Sequence, residues 1–91
     1  MKIQVTGEDI QNGTPSDCGR CPVALAVSRA LGGVSHERIS VTGLSVEVYD
    51  TQLKRWKHDV PPSYVGFFIR CFDYGLPVEP FEFELSDEVK L

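Results

Sequence analysis

The chain has 91 residues, 42% of them hydrophobic and 24% charged, with nine Lys and Arg against thirteen Asp and Glu for a net charge of -4. A chain this short buries only about 60–65% of the surface its unfolded form exposes, which allows one core and excludes multi-domain machinery and large cofactor folds. No apolar run approaches the roughly 20 residues that cross a bilayer, and the acidic balance disfavours nucleic-acid binding.

Met1 to Thr6 lacks the apolar stretch and cleavage site of a signal peptide, which predicts residence in the cytoplasm. Lys2-Ile3-Gln4-Val5-Thr6 alternates polar and apolar, the period of a half-buried strand. Thr6 with Glu8 and Asp9 can cap one helical turn, after which Asn12-Gly13 and Thr14-Pro15-Ser16 make residues 7–20 mostly loop. Pro22 suits the first position of a helix, because its missing N–H has no intrahelical partner there, and Val23 to Leu31 continues that helix until Gly32-Gly33 ends it. Its Ala24, Ala26 and Ala30 between Val23, Leu25, Val27 and Leu31 predict a helix lying close against a sheet.

Arg38 to Thr42 and Leu44 to Tyr49 alternate and are rich in β-branched residues, so both read as strand, with Gly43 as a bulge or a tight connection. Asp50-Thr51-Gln52 is a hairpin turn, and Leu53 to Asp59 returns as a further strand with Trp56 and His58 on one face. Val60-Pro61-Pro62-Ser63 opens a second helix, in which Tyr64, Phe67, Phe68, Cys71 and Phe72 form an apolar stripe directed at the core. Gly75 supplies its left-handed cap and Pro77 follows. Phe81-Glu82-Phe83-Glu84-Leu85 alternates without a fault, placing Phe81, Phe83 and Leu85 inward. The order β-α-β-β-(β)-α-β predicts an α+β domain, a small antiparallel sheet with two helices on one face. If residues 38–59 form two strands, this is the order of a ferredoxin-like sandwich.

Three cysteines do not make a disulfide-built scaffold, so reduced thiols are expected. Cys18-Gly19-Arg20-Cys21-Pro22 is the most suggestive segment. A thiol at a helix start feels the positive end of the dipole, and Arg20 acts in the same direction, which makes Cys21 the candidate reactive thiol. C-x-x-C is also a zinc half-site, but completing it needs two of Cys71, His36 and His58, which are scattered. The competing reading is structural: Cys21 a small buried thiol, Cys18 a loop thiol, Cys71 core. The first helix start, as an anion-favouring end, also admits a small ligand. Neither histidine belongs to a hydrolase, phosphate-binding or metalloprotease pattern, so no enzyme and no cofactor is expected.

Charge is uneven along the chain. Lys54, Arg55 and Lys57 surround Trp56, while Asp73, Glu79, Glu82, Glu84, Asp87 and Glu88 make the C-terminal part acidic. Trp56 with its three basic neighbours is a candidate anchor at a protein interface, the competing reading being a Trp packed on the sheet beneath lysine stems.

Val5-Thr6, Glu8-Asp9-Ile10, Gly13, Asp17, Cys21-Pro22-Val23-Ala24-Leu25-Ala26 and Arg29-Ala30 in the first half stand out, as do Phe68-Ile69-Arg70, Phe72-Asp73, Gly75, Pro77-Val78-Glu79-Pro80-Phe81 and Phe83-Glu84-Leu85 in the second. Together they resemble a group of short proteins encoded mainly by bacteriophages and prophages. Residues 34–60 match that group only in character, and the Cys-Pro step is more regular in it than Cys18. The resemblance implies a genomic setting and no mechanism, since the group has no assigned activity. Size, acidity and resemblance lead to one expectation: a cytosolic phage-type accessory protein in the host bacterium. It acts through a protein partner, a host protein or a second copy of itself. The alternative is a zinc or thiol-redox module on Cys18 and Cys21.

Overall fold

The computed structural model describes all residues, 1–91. Its elements in chain order are β1 (Lys2–Val5), α1 (Gly7–Asn12), α2 (Pro22–Ala30), β2 (Ile39–Val41), β3 (Val46–Asp50), β4 (Arg55–Asp59), α3 (Ser63–Asp73) and β5 (Phe81–Glu84). Single 3-10 turns occupy His36–Arg38 and Asp87–Val89. The class is α+β, as the patterning predicts. In place of the single sheet of a ferredoxin-like sandwich, however, the strands form two antiparallel sheets, β1-β5 and β2-β3-β4.

The division has a visible cause, because side chains and loops occupy the strand edges where further pairing would occur. On the β1-β5 ribbon, Gln4 stands opposite Glu82. The Gln4 carbonyl accepts from Arg29 Nη2 at 2.9 Å and the Glu82 carbonyl from the Tyr64 hydroxyl at 3.3 Å. On the other sheet, the loop before α2 covers the edge of β2, with Val41 N–H donating to the Cys18 carbonyl at 2.8 Å. The C-terminal 3-10 turn lies along β4, where Ser86 N–H donates to Asp59 Oδ2 at 2.7 Å.

α2 joins the two sheets by packing against both β1 and β2. Its buried face consists of Pro22, Val23, Ala24, Ala26 and Val27, small enough for the helix to lie close to both. Beneath it, Ile3, Val5, Ile39, Val41, Val46, Val48, Phe83 and Leu85 complete one contiguous core. Gly32, at φ +84°, ends α2, its N–H donating to the Arg29 carbonyl while Gly33 N–H reaches the Ser28 carbonyl. This doubly bonded left-handed stop is one that glycine adopts without a steric penalty.

The segment read as mostly loop carries a six-residue helix, α1, held by a reciprocal cap. Thr6 Oγ1 accepts from Asp9 N–H and Asp9 Oδ2 accepts from Thr6 N–H. No helix of the chain is long and apolar enough to cross a membrane.

Candidate functional site

α3 is apolar around most of its circumference. Pro61 and Pro62 direct the chain into it, and at 100° per residue its apolar side chains separate into two stripes. Val65, Phe68 and Ile69 are buried, and Phe72, partly buried, packs with them on the core. Tyr64, Phe67, Cys71 and Tyr74 lie on the other side, where Tyr64 is 50%, Phe67 65% and Tyr74 77% exposed. The expected inward stripe is therefore corrected at three positions: Tyr64 and Phe67 face solvent, and Cys71 is only half-buried. The stripe centred on Val65 and Ile69 faces the core instead, because Gly66 on that flank lets the helix approach the backbone at Gly43.

A well-formed C-terminus fixes the outer stripe. Gly75, at φ +74°, donates to the Phe72 carbonyl, and Leu76 N–H donates to the Cys71 carbonyl at 2.9 Å. The chain then returns beside the helix through Pro77, Val78, Glu79 and Pro80 to β5. Between the return and the helix lies an open groove of about 560 Å³, lined by Tyr64, Phe67, Phe68, Cys71, Phe81 and the returning segment. Aromatic stacking supports it from below. Phe68 lies 4.6 Å from Phe81 between ring centroids, and Tyr64 meets Phe81 edge-on at 6.0 Å.

Of Trp56 and its three expected neighbours, Arg55 and Lys57 line one open cleft with Trp56 at the edge of β4, while Lys54 stands outside it. Trp56 is 46% exposed and packs edge-on against Tyr49 at 5.5 Å, on the outer face of β2-β3-β4. Lys57 pairs with fully buried Val48 across the sheet and therefore points to the opposite side. Its Nζ meets Asp50 Oδ2 at 3.0 Å and donates to the Lys90 carbonyl at 3.0 Å. The Leu53 N–H and the Lys57 ammonium hold the Asp50 carboxyl below its ordinary range, and the Gln52 N–H adds to them. Lys57 is thus a fastener of the β3-β4 hairpin. Lys54 occupies the turn at φ +56°. Arg55 shares its edge cleft with Asp87 and Glu88. Asp87 and Glu88, which look like part of a separate acidic surface in the linear chain, fold back onto the basic strand.

Cys18 is exposed and Cys21 is 3% exposed; all three thiols are free. Cys21 is the N-cap of α2, its Sγ accepting from Ala24 N–H at 3.4 Å. Of the two readings of Cys21, the small buried thiol is the one its surroundings favour: burial pushes it up from an ordinary 9.0 to about 11. The Ala24 and Val23 N–H groups at the helix start favour the thiolate, but burial outweighs them. Cys18 and Cys21 line a 280 Å³ pocket together with Asp17 and Asp73. No three His, Cys, Asp or Glu side chains of the chain are arranged to hold a metal ion. His36 Nε2 lies 2.6 Å from Arg20 Nη2, and since a guanidinium can only donate, that nitrogen is the acceptor. His58 lies across from Glu47 on the outer sheet face.

A thiol reagent at pH 7 is expected to modify Cys18 first, Cys71 more slowly and Cys21 only on unfolding, because roughly one Cys21 in ten thousand is ionised there. Mapping the labelled cysteines by mass spectrometry before and after denaturation checks this order. Labelling of Cys21 as fast as Cys18 in the folded protein would restore the activated thiol.

No protein-family model, curated protein or solved structure matches this chain. The α3 groove is the site sequence patterning missed. The one signal for it was an excess: α3 holds more apolar residues than one buried face can use.

Proposed function

We propose that the chain is a small accessory protein without catalysis of its own that acts through protein contacts, and that α3 and its groove are the contact surface. One observation carries the reading: Tyr64 and Phe67 stand exposed on the wall of an apolar groove, with Tyr74 exposed further along the same side of the helix. Rigid aromatic side chains beside a preformed cavity are the usual anchors of protein interfaces, since they offer a large area at small entropic cost. Support for a non-catalytic role comes from the engagement of reactive groups elsewhere, with Cys21 Sγ capping a helix and His36 bonded to Arg20. The resemblance to phage and prophage proteins supports a setting in the cytoplasm of a host bacterium.

Affinity capture with tagged wild type and Phe67→Glu, from cells that also express an untagged copy, tests the reading. A protein recovered at near-stoichiometric level by the wild type, whether a host protein or the untagged copy, and lost with Phe67→Glu is expected. No Phe67-dependent partner of either kind would count against it.

A further inference from the structure

The geometry points to a second copy of this chain as the occupant of the α3 face, joined about a twofold axis with the two α3 helices packed against each other. This rests on the reading of α3 as a contact surface and names its partner. Four properties of the face suit a copy of itself.

The first is area. Tyr64, Phe67, Tyr74 and Leu76 are 50%, 65%, 77% and 54% exposed. Together they offer about 500 Å² per copy, so a twofold pair that covers them completely buries about 1,000 Å², the lower bound for a specific interface. The second is shape. A twofold contact requires one patch to be complementary to itself. This patch carries both parts, with Phe67 projecting beside the groove that the returning segment forms with the helix.

The third is charge. Two copies of a chain with net charge -4 repel, so their contact must exclude the acidic surface. Around the groove stand one anion, Glu79, and on the outer side of α3 one cation, Arg70. Glu82, Glu84 and Asp87 are engaged away from it, by Lys2 and the N-terminal ammonium. The face is therefore neutral, which suits a copy better than a strongly charged partner. The fourth is spacing. Tyr64, Phe67, Cys71 and Tyr74 follow one another at intervals of three, four and three, which is the seam along which one helix packs on another.

Sedimentation of the purified protein from micromolar to millimolar concentration tests the inference. The wild type is expected to approach twice its 10.1 kDa chain mass reversibly as concentration rises. Phe67→Glu should weaken that association more than about 30-fold, the effect of losing an aromatic hot spot, with an unchanged far-ultraviolet circular dichroism spectrum. Trp56→Glu, on the outer sheet face, should leave the dimer intact. A wild type that stays at the chain mass throughout, or a dimer lost with Trp56→Glu and kept with Phe67→Glu, overturns the inference. A monomeric wild type that still captures another protein through Phe67 overturns the second copy alone, while a monomer without any Phe67-dependent partner overturns the contact reading as well.

Discussion

Replacing Asp9 with alanine is expected to destabilise the fold by about 2–3 kcal/mol, a large part of the roughly 5–15 kcal/mol that holds a small domain together, and to lower its thermal midpoint by about 10–20 °C. Asp9 is 4% exposed, yet every carboxylate oxygen is used. Arg29 Nη1 donates to Oδ1 and Nη2 to Oδ2, both at 2.8 Å, and Thr6 N–H donates to Oδ2 at 2.9 Å. Since Arg29 also holds the Gln4 carbonyl, one carboxylate ties β1, α1 and α2 together. Alanine removes the carboxylate half of the reciprocal cap, leaving Thr6 N–H without its partner, and leaves the guanidinium only the Gln4 carbonyl; the bidentate geometry makes the lost pair stronger than an ordinary surface ion pair. Burial alone would push the Asp9 carboxyl up, but the Arg29 and Thr6 donors outweigh it and the pKa is lowered from 3.8. A lowered carboxyl pKa gives stability that is complete above the unfolded value and is lost as pH falls through the folded one. Thermal melts from pH 7 to pH 2 should therefore show a wild-type stability that erodes below about pH 4. The erosion should be smaller in Asp9→Asn, which has no proton to gain. Equal slopes for the two proteins below that pH would remove the clamp from the account of stability.

Local chemistry made the elements legible. Alternation placed β1 and β5, Pro22 and Gly32-Gly33 bracketed α2, and Gly75 marked the end of α3, because each signal acts over a few residues. What failed involved partners distant in the chain. Whether β1-β5 joins the other sheet depends on Arg29 and Tyr64 taking the Gln4 and Glu82 carbonyls, and neither contact leaves a periodic trace. The orientation of α3 failed for a different reason. Tyr64, Phe67, Cys71 and Tyr74 form one apolar stripe and Val65, Phe68, Ile69 and Phe72 another, so periodicity alone has two solutions. Burial of Phe68, Val65 and Ile69 selects one of them. The Trp56 cleft was legible only in part, because a count of charges along β4 ignores that Lys57 alternates to the inner face to reach Asp50. It also ignores that the acidic tail returns to the same edge. Cys21 was placed correctly at a helix start, but its reactivity depends on burial, which spacing does not report.

Gly66→Ala carries the second large effect, and its sign separates two competing terms. Alanine inside a helix is favoured over glycine by about 1 kcal/mol, so an unpacked α3 would be stabilised. Here the added Cβ would clash with the Gly43 carbonyl oxygen and lie 3.3 Å from its carbon, contacts with backbone rather than with a side chain that could turn away. Gly43 has little freedom to retreat. Its turn between β2 and β3 is closed by Thr42 N–H to the Ser45 carbonyl at 2.9 Å and by Leu44 and Ser45 N–H groups on Thr42 Oγ1. The helix must lift, opening the contacts of Val65 and Ile69, and a net loss of about 1–3 kcal/mol is expected from such overpacking. Because the same movement turns the outer stripe relative to the returning segment, binding through Phe67 should weaken together with stability. Gly75→Ala supplies the contrast. A Cβ there meets nothing within 4 Å, and its φ of +74° confines the cost to about 1 kcal/mol of backbone strain. Denaturant unfolding of the two variants, read beside their association, separates the terms. A Gly66→Ala protein more stable than the wild type would mean that α3 does not rest on the β2-β3 turn, and the inward and outward stripes of the helix would have to be assigned afresh.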